Sequence, residues 1–110
     1  MSTSVTTVGT VLVVQPSGKI DSGNAKAFES ELLGHLDGAN KLLVDFAALD
    51  FVSSAGLRVL LMAAKRAKAS GKGLALCALN GSIREVFEVS GFVQLFAIHP
   101  GRDEALAALG

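Results

Sequence analysis

Apolar positions along this chain recur at two spacings, and the changes between them mark out its elements. Ser4 to Val8 is β-branched and alternating, Gly9 and Thr10 form a turn, and Val11 to Gln15 is a solid apolar strand. Pro16, Ser17 and Gly18 close that strand, and so short a connection makes the pair antiparallel. Asp21 or Ser22 can cap a helix running to about Leu36, whose stripe Ala25, Phe28, Leu32 and Leu36 forms one helical face. Gly38 lies just past its end. Leu42 to Phe46 is short and nearly continuously apolar, the pattern of a strand covered on both faces.

A second helix is predicted from Ser53 or Ser54 to about Ser70, burying Leu57, Leu60, Leu61 and Ala64, with Gly71 at its exit. Leu74 to Leu79 predicts another strand. Ser82 and Glu85 have capping-box spacing for a short helix that turns Ile83, Val86 and Phe87 inward and ends at Gly91. Leu95 to His99 reads as a last strand and Asp103 to Leu109 as a terminal helix. Strands alternating with helices pair in parallel through right-handed crossovers, and the opening hairpin adds an antiparallel edge. The expected fold is α/β, a single domain over residues 1–110 with a mixed sheet of four to five strands and about four helices.

Composition narrows the picture without naming a function. Half the residues are apolar, but there is no Trp or Tyr and only six Phe, so the core must be aliphatic. The formal net charge is zero, which predicts no broad attraction to nucleic acid or to an anionic membrane. The single cysteine, Cys77, excludes an internal disulfide and suits a reducing compartment. MSTSVTTVGT lacks the charged-then-apolar order of a signal peptide, and no apolar run is long enough to span a bilayer. A cytoplasmic location is the expectation.

Sheets of this class place partners and ligands where strands end and helices begin. The segment that does this most abruptly is Asp45 to Leu61, DFAALDFVSSAGLRVLL. Ser53 suits the N-cap and Ser54 the first turn, where unpaired N–H groups and the helix dipole favour negative charge. A phosphate on Ser54 would therefore leave its own helix intact and change only what the surface binds. Capping alone accounts for the same two serines. Further along, Arg58, Met62, Lys65 and Ala69 share the face opposite the buried stripe. Met62 is a flexible, polarisable side chain suited to a protein contact, while Lys65, Arg66 and Lys68 complement the carboxyl end of the helix dipole.

FVSSAGLRVLL resembles the signature of STAS domains, in particular the anti-sigma-factor antagonists. Gly18-Lys19-Ile20-Asp21 resembles that family's turn after the second strand, Leu43-Val44-Asp45-Phe46 its central strand, and SIREVFEVSGF its late helix. The four motifs occur in the family's order and cover nearly the whole chain. The resemblance implies that Ser54, directly before Ala55-Gly56-Leu57, is the phosphoacceptor. Ser53 stands where some antagonists have Asp, and so places a rival hydroxyl beside it. It also implies a partner surface of Asp21, Ser53, Ser54, Ala55, Gly56, Arg58 and Met62, although Asp21 could equally serve as a helix cap. The implied partners are an anti-sigma factor that is also a serine kinase and binds the ATP, and a serine phosphatase acting on the phosphorylated form. A STAS accessory subunit of a lipid transporter or of a stress-signalling complex is the alternative, without a regulated phosphoserine.

An enzyme is not expected. Glycines do not flank Ser53 or Ser54 as a nucleophile elbow requires, and no phosphate-cradling glycine loop occurs. His35 and His99 have no visible supporting pattern, and one Cys with two distant His makes no recognisable metal site. No cofactor is implied for this chain.

Overall fold

The computed structural model describes residues 1–110. Strands β1 (Ser2–Val8) and β2 (Val11–Ile20) form the hairpin, in unbroken register from Ser2↔Ser17 to Val8↔Val11. β2 runs on to Ile20 because it changes partner along its length. Leu12–Val14 pair in parallel with β3 (Lys41–Asp45), and Gly18–Ile20 pair in parallel with β4 (Leu49–Val52). Pro16, expected to close the strand, falls between these two stretches, so its missing N–H interrupts neither parallel ladder. β5 (Gly73–Cys77) and β6 (Ala97–His99) continue the sheet beyond β3, giving the order β1-β2-β3-β5-β6 with β4 beside the end of β2.

The sheet is mixed as expected, but its six strands exceed the four to five read from sequence. The extra strand is β4. It turns Leu49 and Val52 inward and Asp50 and Phe51 outward, so it lacks the period-two alternation that marks a strand. β6 is shorter than expected because Phe92–Leu95 forms a 3-10 turn before it. β5 stops at Cys77 rather than Leu79, since Ala78 takes a left-handed φ of 59° and turns the chain.

Helices α1 (Ala25–Asp37), α2 (Ser54–Ala69) and α3 (Gly81–Val89) cover one face of the sheet, and α4 (Arg102–Leu109) covers the other. Val14, Leu42, Val44 and Leu76 point toward the first three helices, while Val13, Leu43, Ala75 and Cys77 point toward Ala105 of α4. The α1 stripe is buried as expected. Its start is not, because Asp21 closes the preceding turn and α1 begins at Ala25. On α2 the buried residues are Gly56, Leu57, Val59, Leu60, Ala63 and Ala67, whereas Leu61 and Ala64 are half-buried. Leu57 and Leu60 are thus buried as expected, while the stripe turns away from Leu61 and Ala64 to Val59, Ala63 and Ala67, whose small side chains let the helix lie close. On α3 the cap is Asn80, not Ser82, and Val86 faces outward while Ile83 and Phe87 are buried. Phe87 packs edge-on against Phe46 at 6.2 Å and Phe96 at 5.6 Å between ring centres, closing the core beneath α3.

Asp45 is the one charged residue that is buried. Its Oδ2 accepts from Arg102 Nε at 2.9 Å and from Gln15 Nε2 at 3.4 Å, and its Oδ1 accepts from the Ala47 N–H at 2.9 Å. The arginine thus pins α4 to the end of β3. Cys77 lies beside this carboxylate, and its thiol is pushed from 9.0 up to about 12, first by burial and then by Asp45.

Two expectations follow from this packing. An added methyl at Gly56 would sit 2.7 Å from Ile20 Cγ2 and 2.9 Å from Val52 Cγ1, both on buried strand residues. Gly56→Ala should therefore lower stability by about 1–2 kcal/mol in urea unfolding despite the better helix propensity of Ala; unchanged stability would contradict the packing. Because the folded chain holds the Cys77 proton more tightly than the unfolded one, this group's contribution is full below pH 9 and is lost as pH rises toward 12. At pH 8 the native thiol should resist iodoacetamide and become labelled only in urea, read by intact mass; rapid native labelling would contradict its burial.

Candidate functional site

The site is the corner where β4 passes into α2. Ile20↔Val52 are the last paired residues of β2 and β4, and the Ser53 N–H donates to the Ile20 carbonyl at 2.8 Å. The end of β2 therefore fixes the point at which α2 starts. Ser53 Oγ accepts from the Gly56 N–H at 3.2 Å, which makes Ser53 the N-cap. Ser54, the first helical residue, is exposed, and its hydroxyl has no hydrogen-bond partner within the chain. The two serines are thereby separated. One hydroxyl holds the helix end, and the other faces outward at the positive end of the helix dipole. No acidic residue occupies the first turn of α2, so nothing on the helix already uses that field.

Asp21 follows Ile20 directly and so lies beside Ser53. It is exposed, and its Oδ1 accepts from the N–H groups of Gly23 at 2.9 Å and Asn24 at 3.2 Å. Asn24 returns the contact, accepting from the Asp21 N–H and donating to the Lys19 carbonyl, both at 2.9 Å. This closed turn sets the position of the Asp21 carboxylate. Arg58 and Met62 are exposed on successive turns of α2 after Ser54, with Lys65 and Ala69 continuing the same outer face. Ala55 is half-buried and packs against the main core, and Gly56 is buried. Of the expected surface residues, these two act through packing: they let α2 approach the sheet and leave Ser54 on the outside.

Sequence reasoning missed Phe51, Val86 and Asn80. Phe51 is 47% exposed and Val86 38%, and a shallow cleft of about 130 Å³ lies between them, bordered by Asp50, Val52 and Ser82. Asn80 joins the two elements: its Oδ1 accepts from the Ile83 N–H at 2.8 Å while its Nδ2 donates to the Leu49 carbonyl at 3.3 Å. An Asn before Gly81 and an apolar helix start is a cap signal that could have found it. The larger hollows, about 440 and 460 Å³, lie at the amino end of the strands around Thr10 and Asn40 and along the carboxyl half of α2; neither contains Ser54.

His35 lies in the last turn of α1, at the opposite end of the sheet from Ser54, and its Nε2 is 3.8 Å from Glu31. His99 ends β6, on the far side of the sheet from β4. No group of three His, Cys, Asp or Glu is placed to hold a metal ion. No helix is long and apolar enough to cross a membrane.

Comparison with known proteins agrees with this architecture. Residues 2–105 match the STAS domain. The Bordetella bronchiseptica protein BtrV, provisionally named an anti-sigma factor antagonist, is 40% identical over 99 residues, covering 89% of this chain and 85% of its own. The crystal structure of an anti-sigma factor antagonist from Mycobacterium paratuberculosis aligns with a TM-score of 0.90 at 28% identity, covering 98% of this chain and 92% of that one. A Thermotoga maritima structure carrying the same provisional description aligns at 0.92 with 21% identity, covering 97% and 93%, which speaks to the fold alone. With the match extending over nearly its whole length, the chain belongs to the STAS domain family.

Proposed function

We propose that this chain is an anti-sigma factor antagonist in a bacterial partner-switching module of the cytoplasm. In its unmodified form it binds an anti-sigma factor that is also a serine kinase, and phosphorylation at Ser54 ends that binding. The observation that carries this reading is the division of labour at the α2 corner: Ser53 is spent on the cap, while Ser54 is exposed with a free hydroxyl. The names of the relatives at 40% and 28% identity support the partner class.

The chemistry of the switch is simple. The kinase transfers the γ-phosphoryl group of ATP to Ser54 Oγ; a P–O bond forms there, ADP leaves, and the hydroxyl proton passes to a base on the kinase. A serine phosphatase reverses the modification by hydrolysis. The phosphate brings nearly two negative charges at neutral pH, and its three oxygens need partners. At the first turn of α2 the helix itself tolerates them. Within an interface the same charges, unpaired and stripped of water, cost several kcal/mol, and each 1.4 kcal/mol is a tenfold loss of affinity.

The contact surface proposed around Ser54 comprises Asp21, Arg58 and Met62, extended by the newly located Phe51 and Val86. Phe51 supplies the large apolar anchor typical of such interfaces, and Arg58 meets an acidic group of the partner.

The account predicts that Ser54→Asp weakens binding to the cognate anti-sigma kinase at least tenfold in calorimetric titration, with the melting temperature kept. Ser54→Ala should bind as the native chain does and resist phosphorylation. Equal affinities for the two variants would contradict the charge mechanism. Phe51→Ala should weaken the same complex by at least about tenfold, the scale of a buried aromatic contact; full retention of affinity would remove β4 from the interface.

A further inference from the structure

Three of the four arginines are held by carboxylates: Arg66 by Asp37 at 3.1 Å, Arg84 by Glu88 at 3.2 Å and Arg102 by Asp45 at 2.9 Å. Arg58 is the exception. It is exposed and forms neither an ion pair nor a hydrogen bond within the chain. It also stands four residues after Ser54, whose hydroxyl is likewise free. On a helix that spacing puts the two side chains on one face, with Cβ atoms about 5–6 Å apart.

The order of the pair matters as well. An acid placed amino-terminal to a base at this spacing is the favoured order, and the phosphate itself meets the positive amino end of the α2 dipole. The other charged groups near the corner do not replace Arg58. Asp21 is turned into its own loop by two backbone N–H groups, Asp50 carries the wrong sign, and Lys19 lies on β2 rather than on the Ser54 face of α2. A planar guanidinium can meet two phosphate oxygens at once, which an ammonium cannot.

We propose that a phosphate on Ser54 is bound in cis by the Arg58 guanidinium. Modification then does two things at once: it adds negative charge and withdraws the arginine from the partner. The inference rests on Ser54 being the modified residue, and it roughly neutralises the outer face of α2, where Arg58 and Lys65 are the cations, without requiring any movement of the backbone.

The test is a phosphorus NMR titration of the full chain carrying phosphoserine at position 54, incorporated during translation. The second ionisation of the phosphate, near pH 6 for free phosphoserine, should lie about 0.15–0.4 unit lower with Arg58 present than in Arg58→Gln. Arg58→Lys should recover part of that shift, and 0.5 M NaCl should shrink it by screening. Identical ionisation in the native and Gln backgrounds would overturn the proposal. Both variants change an exposed helix position to another good helix former, so the fold is not at stake; equal melting temperatures of the unphosphorylated forms check this. Because no kinase is used, the outcome is independent of which serine a kinase prefers. Modification of Ser53 by the kinase would sink the functional reading and leave this result standing.

Discussion

The second helix can begin only where Ile20 and Val52 leave room for a backbone. Gly56 fills that room with no side chain, and a single methyl there would press to within 3 Å of both residues. The Ser53 N–H completes the joint by reaching the Ile20 carbonyl at 2.8 Å. Position and direction of α2 are thereby set by the end of a buried strand, and the remaining geometry of the corner follows. Ser53 must cap, Gly56 must pack, and Ser54, placed between them in sequence, has nowhere to go but outward. Asp21, one residue beyond Ile20, is brought alongside by the same joint. The corner is thus held by backbone hydrogen bonding and close packing, in which the Ser54 side chain has no part.

The charges divide along the same line. Asp45 is buried and fully engaged by Arg102, Gln15 and a backbone N–H, which fastens α4 across the far face. That network lies in the smaller core beneath α4, while α2 packs against the larger one. Residues that hold the fold have partners; Ser54, Arg58 and Met62 on the outer face of α2 are exposed. Under the proposed function, this separation would let the outer face of α2 change its charge while the core contacts stay as they are.

Much of this was legible in the sequence for physical reasons. Ala25, Phe28, Leu32 and Leu36 were readable because large apolar residues at helical spacing have only one way to be buried. The Ser-Ser-Ala-Gly start of α2 was readable because capping and close packing demand those residue types. What escaped notice depended on tertiary contact. β4 exists because β2 outlasts its pairing with β3, and nothing in Leu49–Val52 states that locally. Pro16 looked like a terminator because its accommodation between two ladders requires both partners. The inner stripe of α2 was misjudged because Ala63 and Ala67 are chosen for closeness, not for apolar area. Phe51 and Val86 came together only once β4 and α3 were placed side by side, with Asn80 bonding both.

The measurement that bears most directly on the account is phosphosite mapping after incubation with ATP and the cognate anti-sigma kinase. Intact mass followed by fragmentation would count the phosphates and place them. The account predicts one phosphate, on Ser54, with Ser53 unmodified because its hydroxyl is engaged in the cap. A phosphate on Ser53, or none on either serine while the kinase still binds the chain tightly, would contradict it.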